Sequence, residues 1–308
     1  MPDTPLSNTG LRKLASYASL TVAVALTAIK LAAWLATGSV AMLTSAVDAL
    51  VDSVAAVVTL LGVRYASQPP DRKHRFGHGK AEAVAGFTQA NFVAGAACVL
   101  AFQALQRLFS PQPLARLDFG VWVIVICLIA ALALTILQGW VVKRTNSTAI
   151  AADRAHYLAD VAVNAGVLAA LLVTKLTGWT RADPVFALAL AGYMLWSARH
   201  MVQEALTQLL DQELPSEDRA RIKAAILACP DVRALHDLRT RYAGDRSFVE
   251  FHLEVDGTLT VARGHDIVDQ AEAAVVALLP GTVEVIGHME PSGIIDDRLD
   301  AKLAPAQE

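Results

Sequence analysis

Length, composition and charge place this chain among membrane proteins. Of its 308 residues, 55% are hydrophobic and only 18% are charged, and the mean hydropathy is +0.44. A soluble domain of this length would carry more charge, and a net charge of −3 argues against nucleic acid as a partner. Apolar residues dominate as far as Leu210. We therefore expect a membrane domain over 1–210 and a soluble domain over 211–308.

Six apolar runs are long enough to cross a lipid bilayer as helices, which takes about 20 residues each. The predicted spans are 14–37, 40–66, 81–108, 119–142, 148–176 and 182–208. Lysine and arginine are concentrated at the chain start and in alternate loops. The positive-inside rule then places both termini and the soluble domain in the cytoplasm.

Four ionisable side chains lie within two of these runs, Asp48 and Asp52 in the second and His156 and Asp160 in the fifth. The i, i+4 spacing puts both members of a pair on one helix face. Each such residue costs about 2.5–3.5 kcal/mol at the bilayer centre. Carboxylates with one imidazole suit Zn²⁺ and accept Fe²⁺, Cd²⁺ or Mn²⁺. A metal site is predicted; the alternative is pairing with basic residues across the bundle, for which Lys30 is the intramembrane candidate.

A second cluster, Asp71, His74 and His78, lies in the loop between the second and third predicted spans. An aspartate and two histidines so close in sequence can bind a metal from a compact loop. The neighbouring arginines and lysine disfavour a cation. The residues leave two interpretations open, a metal site and a basic loop that serves topology alone.

The soluble domain is predicted to be a small α+β domain with the element order αββαβ, because alternating apolar and polar residues mark its strands. The predicted elements are a helix over 216–228, strands over 235–242 and 247–255, a helix over 264–279 and a strand over 283–289. Its candidate ligands are dispersed over these elements: His236, His252, His265, His288 and Glu290. Lone surface histidines are commoner than ligands, so their convergence is left open.

Two features together resemble the cation diffusion facilitator family, and within it the branch of bacterial zinc and ferrous-iron exporters. They are the pairs Asp48-xxx-Asp52 and His156-xxx-Asp160, and the stretch RYASQPPDRKHRFGHGKAE over 64–82. The resemblance implies a transport site at the four intramembrane residues and a second metal site in the loop. It also implies a homodimer in the bacterial inner membrane.

In that family the cytoplasmic domain is ferredoxin-like and metallochaperone-like, and it dimerises and binds a pair of zinc ions. The resemblance implies that the zinc ligands in this chain are His236, His252, His265 and His288. The resemblance also implies that Lys80 and Asp211 form a salt bridge at the dimer. One position departs from the pattern, since the family's close relatives have an aspartate where this chain has Glu290.

The predicted function is divalent metal efflux, in which cytoplasmic metal is exchanged for external protons by alternating access. Metal ligands must lose their protons to bind, and an imidazole titrates at about pH 6.5. The chain is then a secondary transporter and not an enzyme, and no phosphate-binding loop motif suggests ATP as the energy source. The alternative is a membrane-embedded metal sensor without transport. A metallohydrolase is disfavoured, because four ligands leave no open position for water.

Overall fold

A computed structural model describes residues 7–37, 40–109, 118–179, 181–293 and 298–303. The chain divides into two compact units, Met1–Leu206 and Thr207–Glu308. The described part of the first unit consists of long helices joined by loops, whereas the second combines helices with a sheet.

Long helices make up the first unit. They are α1 (Asn8–Thr37), α2 (Val40–Ala66), α3 (Ala81–Phe109), α4 (Asp118–Thr145), α5 (Thr148–Thr177) and α6 (Ala182–Leu209). Among the described residues, five segments are long and apolar enough to cross a membrane: Asn8–Ala36, Ser45–Ala66, Ala81–Phe109, Val125–Thr145 and Pro184–Leu209. Helix α5 is also 30 residues long, but Asp153, Arg154 and Asp160 interrupt its apolar sequence.

Small residues let the helices of this unit approach one another closely. A Cβ added at Gly62 of α2 would lie 2.5 Å from the Cβ of Ala85 on α3. On α5, a Cβ at Gly166 would lie 2.4 Å from Leu190 Cδ1 of α6. Helices α3, α5 and α6 also share a core made largely of alanine and methionine. The two helices that carry the predicted intramembrane ligands, α2 and α5, are therefore packed tightly against their neighbours.

The second unit is an α/β domain with a three-stranded sheet. Its elements are α7 (Ser216–Leu227), β1 (Ala234–Ala243), β2 (Arg246–Val255), α8 (Val261–Leu278), β3 (Thr282–Pro291) and the short α9 (Leu299–Leu303). The strand order is β1-β2-β3. Strands β1 and β2 form an antiparallel hairpin, and β3 returns parallel to β2 after α8.

One face of this sheet packs on helices α7 and α8 through Val249, Phe251 and Leu253 of β2, together with Ile222 and Ile267 from the helices. Side chains alternate between the two faces along a strand. The other face therefore carries the polar residues of the strands, including the histidines.

The packing of α8 on the sheet explains two local features. Gly287 is required on β3, because a Cβ there would lie 2.7 Å from Val268 Cγ1 of α8. Thr260 caps α8 by accepting a hydrogen bond from the Arg263 N–H, so the helix begins at Val261 and not at the predicted Gly264. Helix α9 was not predicted from the sequence.

Candidate metal centres

Asp52 of α2 and His156 and Asp160 of α5 meet inside the helical unit. His156 Nε2 lies 3.1 Å from Asp52 Oδ1 and 3.7 Å from Asp160 Oδ2. One ligand atom from each residue lies within 4.8 Å of the other two. The His156 side chain is 7% exposed, against 27% for Asp52. A buried imidazole between two carboxylates from different helices is a suitable arrangement for a borderline divalent cation.

Asp48, the fourth predicted intramembrane ligand, is not part of this three-residue group. It precedes Asp52 by one turn of α2, its side chain is exposed, and it is not a member of the group that brings Asp52, His156 and Asp160 together. The structure thus unites three of the four predicted residues, which we name the helix trio.

The loop cluster of Asp71, His74 and His78 forms a compact group. His74 Nδ1 lies 3.2 Å from Asp71 Oδ1, and His78 Nε2 lies 3.4 Å from Asp71 Oδ2. The two imidazole rings are 4.5 Å apart. His78 is buried beside the ring of Tyr65, with centroids 4.6 Å apart, whereas His74 and Asp71 are about half exposed. The loop therefore presents three ligand atoms within 4.8 Å of one another.

Backbone donors hold the Asp71 carboxylate in place. Its Oδ1 accepts hydrogen bonds of 2.7 Å from the N–H groups of His74 and of Lys73. These two bonds, that of His74 first, hold the pKa of Asp71 below its ordinary value of 3.8. A carboxylate that stays ionised at neutral and mildly acidic pH is ready to bind a cation.

The sheet of the second unit aligns three histidines across its strands. His236 of β1 is paired with His252 of β2, which is paired with His288 of β3. Glu290 Oε1 lies 2.7 Å from His252 Nδ1, and its Oε2 lies 3.3 Å from His236 Nε2. His236, His252 and Glu290 form a three-ligand group. His288 adjoins this group, with its Nε2 3.4 Å from Glu290 Oε1.

His265, also predicted as a ligand in this domain, lies apart from the sheet histidines. It is 73% exposed in the first part of α8, and its Nδ1 is 3.6 Å from Asp269 Oδ1 one turn along the same helix. The structure thus brings together four of the five predicted residues, His236, His252, His288 and Glu290, which we name the sheet cluster.

Sequence reasoning missed Glu254 as a member of this region. Its Oε1 lies 3.5 Å from His236 Nδ1 and 2.7 Å from the guanidinium of Arg298. The signal was present in the strand pattern, because Glu254 follows His252 by two residues and so lies on the same face. What the pattern could not show is that Arg298, far along the chain, would hold this carboxylate.

The C-terminal helix α9 docks beside the sheet cluster. Asp237 has a positive φ of 49°, at an irregularity of the β1–β2 pairing between His236 and Arg239. Its carboxylate accepts hydrogen bonds from the N–H groups of Leu299 and Asp300. Burial alone would raise the pKa of Asp237, but these two donors hold it below its ordinary value.

The predicted dimer salt bridge stays a prediction, because Lys80 and Asp211 belong to different units. Within its own unit, Asp211 Oδ1 lies 3.3 Å from the guanidinium of Arg241. Asp211 has a positive φ of 54°, in the turn that follows α6.

Comparison with known proteins identifies the family. Residues 16–210 match the model of the cation efflux transmembrane domain, and residues 214–292 match that of the cation efflux protein cytoplasmic domain. The chain belongs to the cation efflux family, the cation diffusion facilitators. This confirms the resemblance found in the sequence.

Relatives of this cation efflux protein place it in the FieF-like branch. It is 44% identical over 281 residues to the cation-efflux pump FieF of Klebsiella pneumoniae, covering 91% of this chain and 93% of that protein. It is 42% identical over 290 residues to FieF of Pectobacterium carotovorum, covering 94% and 96%. The metal-bound C-terminal domain of the CzcD transporter from Thermotoga maritima is 26% identical, covers 26% of this chain and 93% of that chain, and gives a TM-score of 0.25.

Proposed function

We propose that this cation efflux protein exports Zn²⁺ from the cytoplasm, with Fe²⁺, Cd²⁺ and Mn²⁺ as further cargo, in exchange for external protons. The observation that carries the proposal is the helix trio. Its three ligand atoms lie within 4.8 Å of one another, on two helices of a unit built from membrane-spanning segments. Ionisable groups in such a place are costly and mark ion pathways.

The cargo follows from the ligand chemistry. Zn²⁺ favours four ligands at tetrahedral positions, and nitrogen and carboxylate oxygen are both suitable. The helix trio supplies three, and we assign the fourth to Asp48, which lies one helical turn from Asp52 on α2 and would join by a change of side-chain rotamer. Oxygen-rich sites also accept Fe²⁺, Cd²⁺ and Mn²⁺.

Proton exchange follows from the same residues. Imidazole and carboxylate bind metal only without their protons, so loading releases protons and protonation releases the metal. His156 contributes an imidazole, and Asp52 and Asp160 contribute carboxylates, so each ligand of the helix trio can take up a proton in competition with the metal. Alternating exposure of the helix trio to the two sides then couples outward metal movement to inward proton movement.

We place the chain in the bacterial inner membrane as a homodimer with six spans. Helix α5 is the sixth span beside the five apolar segments, since its two members of the helix trio, His156 and Asp160, lower its hydropathy. The distribution of lysine and arginine places both termini and the second unit in the cytoplasm. The second unit is then a ferredoxin-like domain that holds two chains together, with Lys80 and Asp211 in a salt bridge at the dimer.

The loop cluster and the sheet cluster are proposed as cytoplasmic metal sites. In the sheet cluster, the Glu290 carboxylate lies within 3.4 Å of a nitrogen of each sheet histidine, so it reaches far enough to bridge two ions. His265 is proposed as a further ligand, and its participation requires a rearrangement, because its Nδ1 faces Asp269. Metal at the sheet cluster would act as a regulatory signal to the transporter.

Flux measurement in proteoliposomes tests the proposal. Wild-type protein under an imposed pH gradient should transport Zn²⁺, and Asp52→Ala and His156→Ala should each abolish transport. His200→Ala is the matched control, since His200 lies on α6 outside all three clusters and should leave flux unchanged. Undiminished flux in both site variants would refute the site. Zinc binding without flux in the wild type would favour the sensor.

A further inference from the structure

A second group of polar side chains is buried in the helical unit, and the proposed transport cycle does not use it. Gln89 of α3 and Gln138 of α4 are both 0% exposed, and Asp153 of α5 is 1% exposed. Burying an amide or a carboxylate costs free energy unless it is hydrogen-bonded. Such a group in an apolar bundle therefore needs a physical reason to be there.

Gln89 joins the two helices that carry the helix trio. Its Nε2 donates to the Ala55 carbonyl at 2.9 Å and to Thr59 Oγ1 at 2.8 Å, both on α2. The same nitrogen lies 3.3 Å from Asp153 Oδ1 on α5. Gln138 Nε2 donates to Asp153 Oδ2 at 2.6 Å. One carboxylate thus receives donors from α3 and α4, and one amide holds both α2 and α5.

These bonds lie one helical turn from the helix trio on both ligand-bearing helices. Asp153 precedes His156 by three residues on α5, and Ala55 follows Asp52 by three residues on α2, which is about 4.5 Å along each axis. Helices α2 and α5 are therefore joined at two successive levels, through Asp52 and His156 at one level and through Gln89 at the next. Two contacts on the same faces restrict the rotation of each helix about its own axis.

We propose that Gln89, Asp153 and Gln138 are positioning residues that set the rotation of α2 against α5, and through it the geometry and metal preference of the helix trio. The inference rests on the proposed function in that the helix trio binds the cargo. Outer hydrogen-bond partners that fix the ligands of a metal site commonly change affinity by about 10- to 100-fold when removed.

Geometry, and not the charge of Asp153, is the property that matters in this proposal. Among the described residues, neither Gln89 Oε1 nor Gln138 Oε1 has a hydrogen-bond partner. An asparagine at 153 can therefore keep the network: its oxygen accepts from Gln89 while its amide donates to Gln138 Oε1 after that side chain turns over. Asp153→Asn should accordingly preserve the site, although it removes a buried charge.

The test uses Co²⁺ as a spectroscopic probe of the full-length protein, because its visible absorption reports the number and arrangement of ligands. The difference between wild type and His156→Ala isolates the signal of the helix trio. Gln89→Met removes the donors at nearly constant length. Asn91→Met is the control on the same helix, since the Asn91 amide donates to the Phe87 carbonyl of α3 itself. Gln138→Met provides a second variant should Gln89→Met fail to fold. The ratio of Zn²⁺ to Cd²⁺ flux is measured in parallel.

We expect Gln89→Met and Gln138→Met to alter the Co²⁺ difference spectrum, to weaken Co²⁺ binding about tenfold and to change the flux ratio, while Asp153→Asn and Asn91→Met resemble wild type. A purely structural role would lower stability but leave the spectrum and the ratio unchanged, and that result overturns the proposal. A large effect of Asp153→Asn on the pH profile of transport overturns it too, since charge would then be decisive. If wild type binds Co²⁺ through His156 but transports nothing, the proposed function fails while the spectra still test the network.

Discussion

Loss of one charge from the buried Arg12–Glu82 pair should destabilise the helical unit more than loss of any surface ion pair. The Arg12 guanidinium lies 2.7 Å from Glu82 Oε1, with the two side chains 2% and 0% exposed. The other carboxylate oxygen accepts a hydrogen bond from Ser147, directly before α5. The pair thus joins the beginnings of α1, α3 and α5, and Glu82→Gln removes the negative charge that lies 2.7 Å from the buried guanidinium.

Glu82→Gln should lower the free energy of unfolding by about 3–5 kcal/mol, the usual penalty for removing one partner of a buried ion pair. Arg12→Met combined with Glu82→Met should recover most of this loss, because an apolar pair leaves no buried charge. Arg233→Ala is the control, because the Arg233 guanidinium lies 2.6 Å from Asp256 but the two side chains are 58% and 41% exposed. Its loss should lower the free energy of unfolding by about 0–1 kcal/mol. Denaturant unfolding of the purified protein measures all three. A double variant no more stable than Glu82→Gln would refute the reasoning.

Three further predictions concern the metal centres. His156→Asp should shift transport preference from Zn²⁺ toward the harder Mn²⁺, and an unchanged ratio of the two fluxes would show that ligand type does not select the cargo. Because the pKa of Asp71 is held below its ordinary value of 3.8, its carboxylate should stay ionised between pH 7 and 5. Carboxyl-carbon NMR of the wild type, with Asp71→Asn to assign the signal, should show no Asp71 titration in that range, and a titration there would contradict the prediction. Glu254→Gln should weaken zinc binding at the sheet cluster about tenfold, measured by calorimetry, because a carboxylate beside the second ring nitrogen of His236 orients that ligand. Glu250→Gln is the control: Glu250 is exposed on the same strand, and its substitution should leave zinc binding unchanged.

Local sequence pattern was sufficient to predict the described helices and strands other than α9, and much of the sites. Helical spacing placed His156 and Asp160 on one face, and strand alternation placed His252 and Glu254 on another. Asp48 shows the limit of this reasoning, because the i, i+4 rule states which residues share a face but not which side chain turns toward a neighbouring helix. That depends on the rotation of α2, which is set by packing with α1, α3 and α5.

The buried network was beyond local pattern for a different reason. Gln89 and Gln138 are uncharged polar residues in largely apolar helices, and the sequence alone does not show whether each faces a cavity, a neighbouring helix or the lipid. Their meaning appears only when α3 and α4 bring both amides to Asp153. Helix α9 is a similar case, since its docking depends on the carboxylate of Asp237 in an irregular part of β1, more than sixty residues away in the chain.

The three clusters differ in which elements they join, and this determines what metal binding can do. The loop cluster takes all its ligands from 71–78, so an ion there can order the loop but cannot move one helix against another. The helix trio joins α2 to α5, and a metal that draws Asp52, His156 and Asp160 inward must change the relation of two spans. The sheet cluster joins three strands through Glu290, whose side chain extends from one rung of the sheet to histidines of the next. A ligand shifts a conformational equilibrium only by binding its states with different affinity. Under the proposed function, the helix trio and the sheet cluster are the sites whose ligand geometry changes when separate elements move, and the loop cluster is the one suited to capture of the ion.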